Sequence, residues 1–254
     1  MTCVIVMALL AAAPGTNVDG FEAHSFRSRG HVLPYRLFRP AATDMPRRFP
    51  LVVFLHGIEA VGSDNVRQIS GMDRAGSHLW TSPDVQDRDP CFVLAPECPA
   101  GHLWVNPFTR APGAYLRTVM DLIGELQRDL PIDGDRIYVT GQSMGAFGVW
   151  ALIENWPNRF AAAVPVCGGG RVSQARRIAA VPIWAFHGAA DPLVPAHESR
   201  RMIAAVERAG GAPRYTEYPF VMHQSWNRAW AERGLAAWVF AHSRATTQEA
   251  GNVP

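Results

Sequence analysis

From about residue 50 onward, short strand-like runs alternate with longer stretches of helical periodicity. The runs are Leu51–Leu55, Phe92–Ala95, Ile137–Thr140, Ala161–Val166, Ile183–Phe186 and Arg214–Tyr218. Most end on Gly or Pro, as at His56-Gly57, Pro96, Gly141, His187-Gly188 and Pro219. A strand with one wet face alternates apolar and polar residues. A continuous apolar run needs cover on both faces, which a parallel sheet between helix layers supplies. Between the runs, Tyr115–Leu130 sets Leu116, Val119, Met120, Ile123, Leu126 and Leu130 along one stripe. Ala146–Trp156, His197–Ala209 and Trp226–Ala241 also have helical spacing. The expected fold is α/β: a doubly wound, mostly parallel sheet with helices on both faces. Phe21–Arg27 and Val32–Phe38 are two further strands, an antiparallel start to the sheet.

Composition narrows the chemistry. The chain has 254 residues, 48% apolar and 18% charged, with a net charge of +2. That length can bury roughly three quarters of the unfolded surface without disulfide or metal staples. No basic run is dense enough for a nucleic-acid or membrane footprint, so neither partner is expected. The sequence contains no Lys, which excludes Lys as nucleophile, base or Schiff-base former. Cys3, Cys91, Cys98 and Cys167 form no C-x-x-C pair, and free buried thiols are expected rather than a Cys91–Cys98 disulfide. Val4–Ala13 is apolar like the core of a secretory signal, but lacks a positive flank and is too short to span a bilayer. A cytoplasmic location is therefore favoured over secretion, with no stable membrane insertion.

The strongest local signal is Gly141-Gln142-Ser143-Met144-Gly145, preceded by a strand and followed by a helix. On such a turn the serine takes strained angles and its hydroxyl stands above the sheet. A Gly-rich turn with an ordinary Ser is the bland alternative, and the strand–turn–helix context weighs against it. A serine hydroxyl needs a base at neutral pH. Three histidines follow His187. His197 falls on a helix and His242 near the end, whereas His223 follows the last strand, where a loop would deliver an imidazole to Ser143. The acid should end the preceding strand, which points to Asp191, with Glu217 as a weaker candidate. Asp191 could instead cap the helix starting near Pro195. Two amides should hold the oxyanion: Met144 N–H, just after the nucleophile, and Ile58 N–H, after the first strand of the alternating series. His56 reads as a structural brace. Trp104, Trp226 and Phe147 are candidates for an apolar or aryl acyl site. This chemistry needs no metal and no organic cofactor.

With these residues in place, the chain resembles the α/β-hydrolase superfamily over roughly residues 30 to 241. It is similar in particular to small single-domain carboxylesterases and feruloyl-esterase-like proteins, a group also labelled predicted peptidases or phospholipase/carboxylesterase relatives. The segments that carry the likeness are Pro50–Gly57, Gly62-Ser63-Asp64-Asn65, Leu94–Pro99, Asp135–Gly145, Pro165–Gly169, Phe186-His187-Gly188 with Asp191-Pro192, and Tyr215–Pro219 with His223 and Trp226. The resemblance implies a Ser143–Asp191–His223 triad. After its His-Gly pair the family shows a small residue and then Gly-Glu-Arg-Gly, whereas here Ile58-Glu59-Ala60-Val61-Gly62 follows. That puts a carboxylate beside the expected oxyanion donor and makes Glu59 a candidate polar contact to substrate.

The expected organisation is an N-terminal extension (1–20), one α/β-hydrolase catalytic domain (21–242) and a polar tail (243–254). The segment between Cys167 and Val181 is too short for a cap domain, so an open site is expected. The expected activity is hydrolysis of short-chain or aryl carboxylic esters, small-molecule substrates, through an acyl-enzyme. A peptidase or amidase of the same fold, or a non-catalytic binding module, are the alternatives.

Overall fold

The computed structural model describes residues 15–41 and 47–244. The signal-like run at Val4–Ala13 and most of the expected tail lie outside these residues.

Among the described residues, nine strands form one sheet. They are β1 (Asn17–Val18), β2 (Phe21–Ser28), β3 (His31–Phe38), β4 (Phe49–Leu55), β5 (Phe92–Pro96), β6 (Ile132–Gln142), β7 (Ala162–Val166), β8 (Trp184–Gly188) and β9 (Arg214–Tyr218). Their spatial order is β1-β2-β3-β5-β4-β6-β7-β8-β9. The first three strands pair antiparallel with one another and with β5, and every pairing from β5 across to β9 is parallel.

The continuous runs from Leu51–Leu55 to Ile183–Phe186 are buried on both faces, as expected, whereas Arg214–Tyr218, at the edge of the sheet, is exposed or only partly buried. Along β4, Leu51, Val53 and Leu55 enter one apolar core while Val52 and Phe54 enter the other, because successive strand side chains point to opposite faces. Among the described residues, eight α-helices flank the sheet: α1 (Arg74–His78), α2 (Pro83–Arg88), α3 (Ala114–Asp129), α4 (Met144–Asn155), α5 (Ala175–Ile178), α6 (His197–Arg208), α7 (Trp226–Ala229) and α8 (Leu235–Phe240). Side chains of α3, α4 and α6 pack into the first core, and Trp80, Trp226, Trp230 and Val239 into the second.

Two expectations needed correction. The helix expected over Trp226–Ala241 is two short helices, because Gly234 takes φ +79° and starts α8 afresh. The strand expected at Ile137–Thr140 extends from Ile132, which pairs with Phe49 across a register shift that leaves the polar residues 133–136 unpaired with β4. Between β7 and β8 the chain makes a short loop, a one-turn 3-10 segment (Val172–Gln174) and the four-residue α5, so no cap rises there. No helix among the described residues is long and apolar enough to cross a membrane. Cys91, Cys98 and Cys167 are free and buried.

Candidate active site

Ser143 joins β6 to α4 and holds φ +51°, ψ −118°, a region that L residues rarely adopt. The surrounding glycines make this turn sterically possible. A Cβ on Gly145 would lie 1.9 Å from the Leu55 carbonyl oxygen, and one on Gly141 would lie 2.7 Å from it. Only hydrogen fits where the elbow presses on the end of β4. The Ser143 amide donates to the Val166 carbonyl at 2.9 Å, which ties the turn to β7.

The structure brings Ser143, His223 and Asp191 into one line. Ser143 Oγ lies 2.8 Å from His223 Nε2, and His223 Nδ1 lies 2.7 Å from Asp191 Oδ2. A carboxylate facing Nδ1 holds the proton there, so Nε2 accepts the serine proton. Asp191 is buried after β8 and its Oδ1 accepts the Leu193 and Val194 amides, each at 2.9 Å. It closes that turn rather than capping α6, whose N-cap is Ala196. Glu217 is removed as an acid candidate: Arg200 binds both its oxygens at 2.6 and 2.8 Å and holds its carboxyl down to about 2.

Ile58 and Met144 are each the first residue of a helix, a one-turn 3-10 segment and α4 respectively. The first amide of a helix has no acceptor within that helix. The loop bearing Ile58 is braced from beneath by His56, whose Nδ1 donates to the Gly57 carbonyl at 2.6 Å. The Cys98 amide donates to His56 Nε2 at 2.8 Å. Burial pushes the imidazole down to about 4, so it stays neutral as this pairing requires. Trp104 corrects the expectation of a substrate contact. It is fully buried, and its Nε1 donates to the His56 carbonyl at 3.2 Å. Phe147 is half-buried under the Arg110 guanidinium, 4.1 Å from its ring centre.

Beside His223 opens a pocket of about 570 Å³, walled by Met72, Leu193, Val221, Met222 and Trp226 with Glu59 at one side. Trp226 stands edge-on to the His223 ring at 5.3 Å. Met72, Leu193 and Met222 are exposed around it.

Sequence reasoning missed Met72 and Asp73, which carry no motif and come from the excursion between β4 and α1. Gln142, an arbitrary position of the pentapeptide, ties Met72 to the elbow: its Nε2 donates to the Met72 carbonyl and its Oε1 accepts from Trp230 Nε1. The sequence marks Cys167, just after β7, only as a thiol. Its sulfur lies with the ligand-type atoms of Asp191 and His223, all within 4.8 Å of one another. Burial pushes the thiol up, away from the thiolate that a metal requires.

Residues 39–243 match the Dienelactone hydrolase family. The chain belongs to the dienelactone hydrolase family. This family member superposes on a thermostable esterase with a TM-score of 0.85 and 40% identity, covering 89% of this chain and 64% of the esterase. A ferulic acid esterase, 14% identical, shares the fold at a TM-score of 0.63 over 86% of this chain and 96% of its own. The poly(3-hydroxyalkanoate) depolymerase C of Paucimonas lemoignei is 29% identical over 143 residues, which are 53% of this chain and 31% of the depolymerase. The dienelactone hydrolase family chain thus spans about a third of that depolymerase and under two thirds of the thermostable esterase. Its sheet and helix layers are those of the α/β-hydrolase superfamily.

Proposed function

We propose that this protein hydrolyses carboxylic esters with short-chain or aryl acyl groups through an acyl-enzyme on Ser143. The observation that carries this reading is the unbroken line of hydrogen bonds from Ser143 Oγ through His223 to the buried Asp191. In the first half-reaction Ser143 Oγ attacks the ester carbonyl and His223 Nε2 takes its proton. The Ile58 and Met144 amides hold the oxyanion of the tetrahedral intermediate. As the intermediate collapses, His223 returns the proton to the leaving alcohol, and Asp191 stabilises the imidazolium in between. Water then repeats the sequence on the acyl-enzyme and frees the acid.

The membership of the dienelactone hydrolase family, the likeness to a thermostable esterase and the partial match to a polyester depolymerase all support ester cleavage. The short β7–β8 connection inserts no cap domain beside the site, which suits small soluble esters.

A panel of nitrophenyl and hydroxycinnamate esters, with matched anilides, tests the proposal. Activity is expected to peak at short or aryl acyl groups, to exceed that on anilides, and to fall by orders of magnitude in Ser143→Ala. An organophosphonate probe is expected to label Ser143. Failure of the probe to label, or equal turnover by Ser143→Ala, overturns the reading.

A further inference from the structure

The pocket beside His223 combines an apolar wall with a carboxyl group that lacks a partner. Glu59 Oε2 is buried and has no hydrogen-bond partner among the described residues. No described basic side chain lies within 4.0 Å of it: the ion pairs of the described residues do not include Glu59. Another acid, Asp73, senses the Glu59 charge.

We propose that this pocket receives the alcohol half of the ester, and that Glu59 selects alcohols with an apolar body and one hydrogen-bond donor. This rests on the ester-hydrolase reading. The leaving oxygen must reach His223 Nε2 to collect its proton, so the group attached to it lies beside His223. The pocket is walled there by the two loops that carry base and acid, through Val221 and Met222 on one side and Pro192 and Leu193 on the other. Six of its nine lining residues are apolar, and the rest are Glu59, His223 and Gln224. An ionised carboxylate only accepts, so an occupant satisfies Glu59 by supplying an O–H or N–H. Oε2 now lies against the Gly57 backbone, where an added Cβ would meet it at 2.4 Å, and a turn of the carboxyl brings this unpaired oxygen to a donor on the occupant, a gain that an alcohol lacking the donor cannot supply. Met72 and Met222 are unbranched and partly exposed, walls that adapt to chain shape while Glu59 sets the polar requirement. A hydroxyl and an ammonium share the chemistry that Glu59 recognises.

The test holds the acyl group constant as acetyl and varies the alcohol. Alkyl acetates over a ladder of chain lengths are compared with their ω-hydroxy and ω-amino counterparts, reading kcat/KM from acetate release. At the chain length that spans to Glu59, the donor-bearing esters are expected to be preferred by about tenfold to a hundredfold. Glu59→Gln, nearly the same shape, is expected to lose the ammonium preference and keep part of the hydroxyl preference. Glu59→Ala is expected to lose both, with thermal unfolding showing that each variant is folded. A mirror series with the donor on the acyl side is expected to show no dependence on Glu59. Equal rates for plain and donor-bearing alcohols in the wild type, or a preference that survives Glu59→Ala, overturns the assignment. If no ester is cleaved faster than by Ser143→Ala, the hydrolase reading itself falls, and this inference with it.

Discussion

The Gly57 amide donates a 2.9 Å hydrogen bond to the buried Oδ1 of Asp73. The bond ties the loop of the expected oxyanion donor to the segment before α1. The neighbouring Met72 carbonyl ties that same segment to Gln142, next to Ser143. The two halves of the site therefore share one support, and its protonation state matters.

Burial, with the Glu59 charge adding to it, pushes the Asp73 carboxyl up to about 8. An unfolded chain releases that proton near 3.8, whereas the folded chain holds it to about 8. The unfolded state then binds fewer protons across this window, so the Asp73 contribution to stability falls as pH rises through it. Asp73→Asn keeps an acceptor for Gly57 and removes the titration. Its melting temperature relative to wild type is expected to rise from pH 4 to pH 8 and then level off. A constant difference would rule out a protonated Asp73.

His56 works in the opposite direction. Its folded value of about 4 lies below the ordinary 6.5, so the unfolded state binds the extra proton between the two. Stability is lost as pH falls through that window, by on the order of 3 kcal/mol. Protonation at Nε2 would also displace the Cys98 amide. Denaturant midpoints of wild type and His56→Asn, followed from pH 7 to pH 4, should show the steeper acid loss in wild type.

Asp191→Asn is expected to lower kcat by about 10³ to 10⁴ with little change in KM. Its Oδ1 still holds the Leu193 and Val194 amides, so the turn survives. Its Nδ2 donates towards His223 Nδ1 and forces the proton onto Nε2, where it can no longer accept from Ser143. Steady-state kinetics with a nitrophenyl ester decide this. An activity loss matched by an equal loss of stability would assign Asp191 to the fold alone.

Glycine substitutions separate the elbow from ordinary helix positions. Gly145→Ala drives a methyl into the Leu55 carbonyl, a backbone atom with no rotamer to escape into. A cost of about 1–3 kcal/mol is expected, together with displacement of Ser143 and loss of activity. Gly124→Ala on α3 meets only the tip of Arg128 at 3.8 Å. It is expected to stabilise by roughly 0.5–1 kcal/mol. Urea unfolding of the pair measures both.

Cys91, Cys98 and Cys167 are buried, and burial pushes the Cys91 and Cys98 thiols up to about 12. They are expected to resist an aromatic disulfide reagent in the native protein and to react on unfolding. Rapid native labelling of any of them contradicts that burial.

The sequence by itself determined the layered α/β architecture, because uninterrupted apolar runs such as Leu51–Leu55 fit only strands covered on both faces. It also determined which turn is strained, since Gly141 and Gly145 leave space that other residues would fill, and the chain order of Ser143, Asp191 and His223. These are local signals, written in neighbouring residues. Tertiary structure alone decided which carboxylate faces His223, because Asp191 and Glu217 both lie at strand ends and only distance separates their partners. It turned Trp104 from a substrate contact into a brace under His56, and split the last helix at Gly234. It brought Met72 and Asp73 to the site across a loop with no periodicity and no motif. Such contacts join residues distant in the chain, and their energy depends on burial and charge that appear only when the sheet and its loops are assembled.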